Sequence, residues 1–235
     1  MLVSHSHRFV FLKTYKTAGT SLYAMLRPFC MPPQDRAEDT RAVHISPWGI
    51  VARGAMKGSE LYVPHNWHEH RGLGLLRTFL PNEFHAYHKI AAVRHPYDKT
   101  VSAFFYGLWN QRQMKPNKPR AEDFSHAHLT RRFSKYVMPV PRSSAGQHDR
   151  KYFFCEGQFM VDSVIRYEHL HEDLQAMSER LNLGLDVRKE LPLKKRVVEE
   201  ELRQRYRQLI TPEAKAAIDD YYGWYFEQFG YEKTL

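Results

Sequence analysis

Two short stretches of this 235-residue chain combine residue types and spacing suited to holding phosphate-like anions. The first is Lys13-Thr-Tyr-Lys16-Thr17-Ala-Gly19-Thr20-Ser21, a run of small and hydroxyl residues carrying two lysines. Backbone N–H groups in such a loop can converge on one anion, a following helix adds its dipole, and Lys16 supplies a full positive charge. An ordinary basic turn capped by Thr or Ser would use the same residues. The loop is not a GxxxxGK[ST] sequence, because Lys16 precedes Gly19 instead of following it. The second stretch is Arg94-His-Pro96-Tyr-Asp-Lys99-Thr-Val-Ser102. An Arg at a strand end and a Ser two helical turns later can face one phosphate, and the planar guanidinium makes two parallel bonds to its oxygens. The bland alternative is a surface Arg and a Ser facing its own helix.

Both stretches need a strand behind them and a helix ahead. Arg8 to Leu12 is a compact aromatic and β-branched run suited to a buried central strand, and Leu22, Met25 and Leu26 recur at helical spacing after the first loop. Lys89 to Val93 precedes Arg94 in the same way, with Val101, Phe104, Phe105 and Leu108 marking the helix beyond. Leu61 to Val63 is a further short strand candidate, Arg71 to Leu80 reads as helix, and Val161 to Tyr167 returns to a strand pattern. Glu122 to Val137 is a helix candidate inside 111–152, a charged, Pro- and Ser-bearing stretch that reads as an insertion on the core. Thr211-Pro212-Glu213 starts a terminal helix expected to run to Gly230. Strands alternating with helices predict an α/β fold: one domain over 1–235 with a central parallel sheet flanked by helices.

At this point a resemblance becomes specific. Phe11 to Ser21 resembles the 5'-phosphosulfate loop of carbohydrate sulfotransferases, including the galactose 3-O and uronyl 2-O types. Arg94, Pro96, Lys99 and Ser102 match that family's R-x-P-x-x-R/K-x-x-S motif. The resemblance implies a P-loop nucleotide-hydrolase-like fold and 3'-phosphoadenosine 5'-phosphosulfate (PAPS) as sulfuryl donor, with no metal expected. It implies Lys16 on the donor's bridging oxygen, and Thr17, Gly19, Thr20 and Ser21 on the 5'-phosphate, with Lys13 typical of one branch. It also implies Arg94 and Ser102 on the 3'-phosphate. Val161 to Leu170 and the aromatic end Phe229-Gly-Tyr231 resemble two further blocks, while 111–152 is poorly covered.

Fourteen histidines are spread along the chain, and Pro64-His65-Asn-Trp-His68-Glu69-His70 is their densest run. A base that takes an acceptor's hydroxyl proton must be neutral near physiological pH, which imidazole satisfies. His65 is the position closest to the family's base and His68 the reserve, with Glu69 a second-line base or merely solvated. Zinc held by His65, His68 and His70 matches no familiar helical spacing. The net charge of +9 favours an anionic partner. Arg120, Arg131, Arg132, Lys135, Arg142 and Arg150 suit an acidic saccharide or simply form a solvated face.

Cys30 and Cys155, both read as buried thiols, are too few for a disulfide framework. With no signal-like start and no transmembrane-length apolar run, the expected setting is cytoplasmic. The function expected is sulfuryl transfer from PAPS to a hydroxyl acceptor, in all expectation a saccharide, with no nucleic-acid partner. The alternatives weighed are a P-loop small-molecule kinase, disfavoured by the missing GK[ST], and a basic RNA-binding or adaptor protein, which would leave both anion motifs unexplained.

Overall fold

Phe9, Val10, Phe11 and Leu12 are all fully buried, as a central strand requires, and the sheet around them organises the first part of the structure. The structure is a computed structural model that describes residues 1–35, 43–51, 67–115, 117, 123–138, 146–190 and 206–235. It falls into two units, Met1–Val93 with His148–Lys194, and Arg94–Gln147 with Lys195–Leu235. The strands in chain order are β1 (Leu2–Ser4), β2 (Phe9–Leu12), β3 (His44–Ser46), β4 (Gly49–Val51), β5 (His88–Val93), β6 (Phe154–Cys155), β7 (Gln158–Phe159) and β8 (Ser163–Arg166). Six of them form one sheet in the order β3-β4-β1-β2-β5-β8, and β6 and β7 form a separate ribbon.

The sheet is mixed, where strand–helix alternation predicts a parallel one. β2 pairs in parallel with β5, Leu12 opposite Ala91, and β5 pairs in parallel with β8, Val93 opposite Arg166. On the other side β1 is antiparallel to both β2 and β4, and β3 is antiparallel to β4. The cause is loop length. Only His5 to Arg8 separates β1 from β2, and a parallel crossover needs roughly a dozen residues, so the chain turns back with Arg8 at φ 53°. β1 itself escaped the sequence reading because three residues are too few to show a period. The predicted strand Leu61 to Val63 lies outside the described residues.

Alternate residues of the strands face a core completed by helices of the same unit. Leu2, Phe9, Phe11, Ile90, Ala92 and Ile165 pack with Leu22, Met25 and Leu26 of α1 (Gly19–Leu26) and with Leu174 and Met177. The last two belong to α7 (Leu170–Arg180), which Arg166 ties to the end of β8 through bonds of 2.7–2.9 Å to Asp173. Val3, Val10, Leu12, Ala91 and Val93 on the opposite face are equally buried. The helix predicted over Arg71 to Leu80 is α2 (Leu73–Phe79), followed by α3 (Pro81–Ala86). α6 (Gly146–Phe153) and the short α8 (Val187–Glu190) complete the helices of the insertion's end and of this unit. Cys30 is buried, and burial pushes its thiol up, whereas Cys155 is only half-buried because it sits on the exposed β6–β7 ribbon.

The second unit is helical, with α4 (Pro96–Met114), α5 (His126–Val137), α9 (Pro212–Tyr221) and α10 (Gly223–Phe229). Phe104 of α4 meets Phe133 of α5 edge to face at 5.4 Å, and the Tyr97 hydroxyl donates to Asp219 of α9 at 2.6 Å. α5 begins at a Ser125 cap that accepts from the His128 N–H, later than the predicted Glu122, which lies outside the described residues. The terminal helix starts as expected, Thr211 capping Ala214, but it is two helices. Tyr222 leaves helical geometry at φ −100°, ψ 16°, next to Gly223, the weakest helix former in the run, and Gly230 closes α10 at φ 67°. Among the described residues no helix is long and apolar enough to cross a membrane.

One glycine tests how closely the β1–β4 pair is packed. A Cβ on Gly49 would stand 2.1 Å from the Val3 carbonyl oxygen and 3.0 Å from that of Cys30, both backbone atoms with nowhere to go. Gly49→Ala is expected to lower unfolding free energy by roughly 1–3 kcal/mol, the usual cost of overpacking, in a urea titration. An unchanged midpoint would show that β4 moves away freely.

Candidate anion-binding site

The β2–α1 turn is shaped by its backbone before any side chain acts. Lys16 and Ala18 both have φ 60°, while Tyr15, Thr17 and Gly19 do not have positive φ, so the sign alternates along the loop. Such alternation turns successive N–H groups toward one side, making an anion-binding concavity. α1 begins directly afterwards with Ala18 at the N-cap and no side-chain cap, so the first N–H groups of the helix face the same turn. Two non-glycine residues in the left-handed region cost energy, and buried hydrogen bonds hold them there. The Thr14 hydroxyl donates to the Ala92 carbonyl of β5 at 2.6 Å. Its one proton being used, it accepts from the Thr17 hydroxyl at 2.7 Å. The Thr17 side chain is therefore turned inward, and what Thr17 offers an anion is its backbone N–H.

Gly19 is required by close passage: an added Cβ would lie 3.0 Å from both Lys13 Cγ and the Thr14 carbonyl oxygen. Ser21 is buried with its N–H bonded to the Ala18 carbonyl at 2.9 Å, Thr20 is half-buried, and Lys16 is half-buried on the turn.

Lys13 brings a second segment to this turn. Its ammonium forms an ion pair with Glu69 and lies 5.4 Å from the centre of the Tyr23 ring. Glu69 also faces His70, whose Nε2 is 3.5 Å from its carboxylate. Burial alone would push the Glu69 carboxyl up, but hydrogen bonds and charge from His70 and Lys13 outweigh it and hold it well below the usual carboxylate range. Glu69 is thus neither solvated nor a ready base, contrary to both expectations for it. His70 Nδ1 donates to the Lys13 carbonyl at 3.0 Å, its ring stacks on Tyr15 with centroids 4.0 Å apart, and its own carbonyl accepts from the Tyr152 hydroxyl at 3.2 Å. Burial raises both Tyr15 and Tyr152, whose side chains are hydrogen-bonded to each other. His68 is pushed down to about 4 by burial first and then by Arg71 and its other cationic neighbours, so it is neutral at physiological pH. His65 lies outside the described residues. Among the described residues no group of three or more His, Cys, Asp and Glu is arranged to hold a metal ion.

The second turn carries its own positive charge. Arg94 and Lys99 are 5% and 3% exposed, an expensive placement for two cations unless an anion or a π face meets them. Lys99 Nζ lies 5.0 Å from the Tyr225 ring centre and 5.9 Å from that of Tyr222, and the Arg94 N–H donates to the Tyr225 hydroxyl at 3.2 Å. The one carboxylate in this stretch, Asp98, is gripped by Arg207 through bonds of 2.9 and 2.8 Å. Burial would raise it, but Arg207 and then Arg94 hold it below the usual range. Ser102 is half-buried, three residues beyond Lys99 on the same side of α4. This donor set fits a doubly charged phosphate. Lys99, Tyr225 and Arg207 are site residues that the sequence reading did not assign: Lys99 was visible in the motif, whereas the other two lie more than 100 positions away and gave no local signal.

The Lys13–Glu69 pair has a pH signature. A carboxyl held low in the folded chain contributes stability that is complete above its unfolded value, about 4.3, and is lost as pH falls below it. Glu69→Gln is expected to be destabilised relative to the parent at pH 7, with the gap closing toward pH 3 in urea titrations. A gap that stays constant with pH would remove the ion pair from the account.

A family model described as "Sulfotransferase family" matches residues 1–232 of the chain. No curated protein and no solved structure matches it.

Proposed function

The chain belongs to the sulfotransferase family, and from that premise we propose that it moves the sulfuryl group of PAPS to a hydroxyl of a carbohydrate acceptor by in-line displacement. Its general activity as a sulfuryl transferase follows from the family; the donor, the acceptor and the residue roles are the proposal. The observation that carries it is the pair of anion-binding turns, each built independently in its own unit. The bound donor would supply an activated sulfuryl group on a phosphate leaving group. The β2–α1 turn would hold the 5'-phosphate through the N–H groups of Thr17, Gly19 and Thr20 and the side chain of Ser21, with Lys13 alongside. Arg94 and Ser102 would take the 3'-phosphate, a reading supported by the burial of Arg94 and Lys99.

Lys16, on a strained turn that fixes its direction, would stabilise the charge that develops on the bridging oxygen, which accelerates the reaction more than it tightens binding. The acceptor's proton would pass to a histidine of the 65–70 segment. His65 is the first candidate and His68 the reserve: burial keeps the His68 ring neutral, whereas both His70 nitrogens are engaged, Nδ1 by the Lys13 carbonyl and Nε2 by Glu69. Exposed Arg131 and Lys135 on α5 support an acidic saccharide as acceptor, and two free thiols suit work in the reducing cytoplasm.

Two experiments test this reading. Calorimetry is expected to give much tighter binding of 3'-phosphoadenosine 5'-phosphate (PAP) than of AMP, with Arg94→Ala losing about 1.5–3 kcal/mol of that preference. Equal affinity for the two nucleotides sinks the assignment. In the second, Lys16→Ala is expected to fold and bind PAP but to lose turnover at least about a hundredfold. His65→Ala should lower turnover without changing PAP affinity and abolish the rise of rate with pH, and if His65→Ala stays active while His68→Ala fails, the base is His68.

A further inference from the structure

His95 sits between the two residues assigned to the 3'-phosphate turn and belongs to neither role. It is the N-cap of α4, and its Nδ1 accepts the Tyr97 N–H at 3.3 Å. Its Nε2 is 3.0 Å from the carbonyl oxygen of Glu232, near the end of the chain. A carbonyl only accepts, so Nε2 carries the ring proton; a backbone N–H only donates, so Nδ1 carries none. Both bonds are satisfied together only by the neutral Nε2–H tautomer. The ring is also walled by Tyr97 at 5.0 Å, Tyr231 at 5.2 Å and Phe226 at 5.9 Å.

The residues that follow α10 extend the same contact. Tyr225 accepts the Arg94 N–H and lies under Lys99, and Tyr231 stacks parallel to Tyr225 at 9°. From Tyr222 to Glu232 the terminal segment thus holds the Arg94–Ser102 turn at three points: the Arg94 amide, the Lys99 ammonium and the His95 ring. We propose that His95 is a positioning residue for the 3'-phosphate turn, pinning the terminal segment to the start of α4 through its neutral Nε2–H tautomer, so that the turn loosens when the ring is protonated. This rests on the reading of Arg94 and Ser102 as 3'-phosphate ligands.

The groups around the ring define what protonation meets. Asp98, held by Arg207, is a carboxylate coupled electrostatically to the ring, Glu232 carries a second one, which accepts from the Thr234 hydroxyl, and Arg94 precedes the ring in the chain. The Tyr97 hydroxyl is engaged by Asp219, which Lys215 also pairs, and Lys233 lies 5.6 Å from the Phe226 ring. A proton on Nδ1 would face the Tyr97 N–H donor to donor and cancel the cap, at the positive end of the α4 dipole. The sign follows: Nε2–H still donates to Glu232 in the protonated ring, so the cap is what fails, and the turn held at both nitrogens is favoured when His95 is neutral and loosens as pH falls.

Two variants separate the ring's two nitrogens, because the Asn amide reaches where Nδ1 is and the Gln amide reaches where Nε2 is. His95→Asn keeps a cap and loses the Glu232 bond; His95→Gln keeps a donor for Glu232 and cannot titrate. PAP and AMP binding are measured by calorimetry from pH 5.5 to 8, with melting temperatures alongside. The expectation for His95→Asn is a loss of PAP affinity of about tenfold, what one positioned hydrogen bond is worth, with AMP affinity little changed. His95→Gln, which has no Nδ1 cap at any pH, should bind PAP less well than the parent at pH 8 and like the parent at pH 5.5, where protonation has removed the parent's cap too; protonation of PAP itself is common to both. If His95→Asn binds PAP as the parent does, or the His95→Gln deficit is the same at pH 5.5 as at pH 8, the pin is wrong. If the parent binds PAP and AMP alike, the 3'-phosphate reading fails first, a result visible before any variant is made.

Discussion

The parallel pairing of β2 with β5 is the constraint on which the first turn depends. With Leu12 opposite Ala91, β5 runs on to Val93 beyond the end of β2, and the Thr14 hydroxyl reaches the Ala92 carbonyl on that extension at 2.6 Å. That bond and the Thr17–Thr14 bond behind it are buried, where an unmade hydrogen bond costs far more than a made one gains. They hold the loop firmly enough for Lys16 and Ala18 to remain at φ 60°. A shift of β2 by one residue would exchange its two faces and move Thr14 away from Ala92 at once. Sheet register and loop geometry are therefore one specification.

The second constraint is the cost of concentrating positive charge. An anion site needs cations that are oriented and dry, yet a dry cation destabilises the fold unless something compensates it. The two units answer in different ways. Lys13 is met by a carboxylate, Glu69, which is in turn shared with His70, so the first turn's charge is tied to the 68–70 segment. Lys99 is met by the faces of Tyr222 and Tyr225, which attract a cation without cancelling its charge. Asp98, the carboxylate that would neutralise the second turn, is itself held by Arg207. The aromatic residues of the terminal helices thus do more than pack.

Much of this was legible. The run RFVFL, the apolar residues before Arg94 and the cap Thr211-Pro212 each state their own local structure, because strand burial, helical period and capping act over a few residues. Both candidate turns were legible for the same reason, each being continuous in the chain. Three features escaped. The mixed sheet follows from β1, too short to be seen alone. The helix break at Tyr222 is marked in the sequence only by Gly223, which a helix also tolerates, so the local signal did not fix it. Glu69 looked like a solvated acid because Lys13, its partner, is 56 residues away.

The sequence by itself determined the order of elements, the two turns and the residues within them able to meet an anion, since those properties depend on neighbours along the chain. Tertiary structure alone decided which groups those charges meet. Thr17 turns its hydroxyl inward because Ala92 lies beside Thr14. Glu69 is held ionised because Lys13 and His70 converge on it, and His95 keeps one tautomer because Glu232, 137 positions away, presents a carbonyl to it. Ionisation and hydrogen bonding respond to what stands within a few ångströms in space, and separation along the chain does not specify that distance.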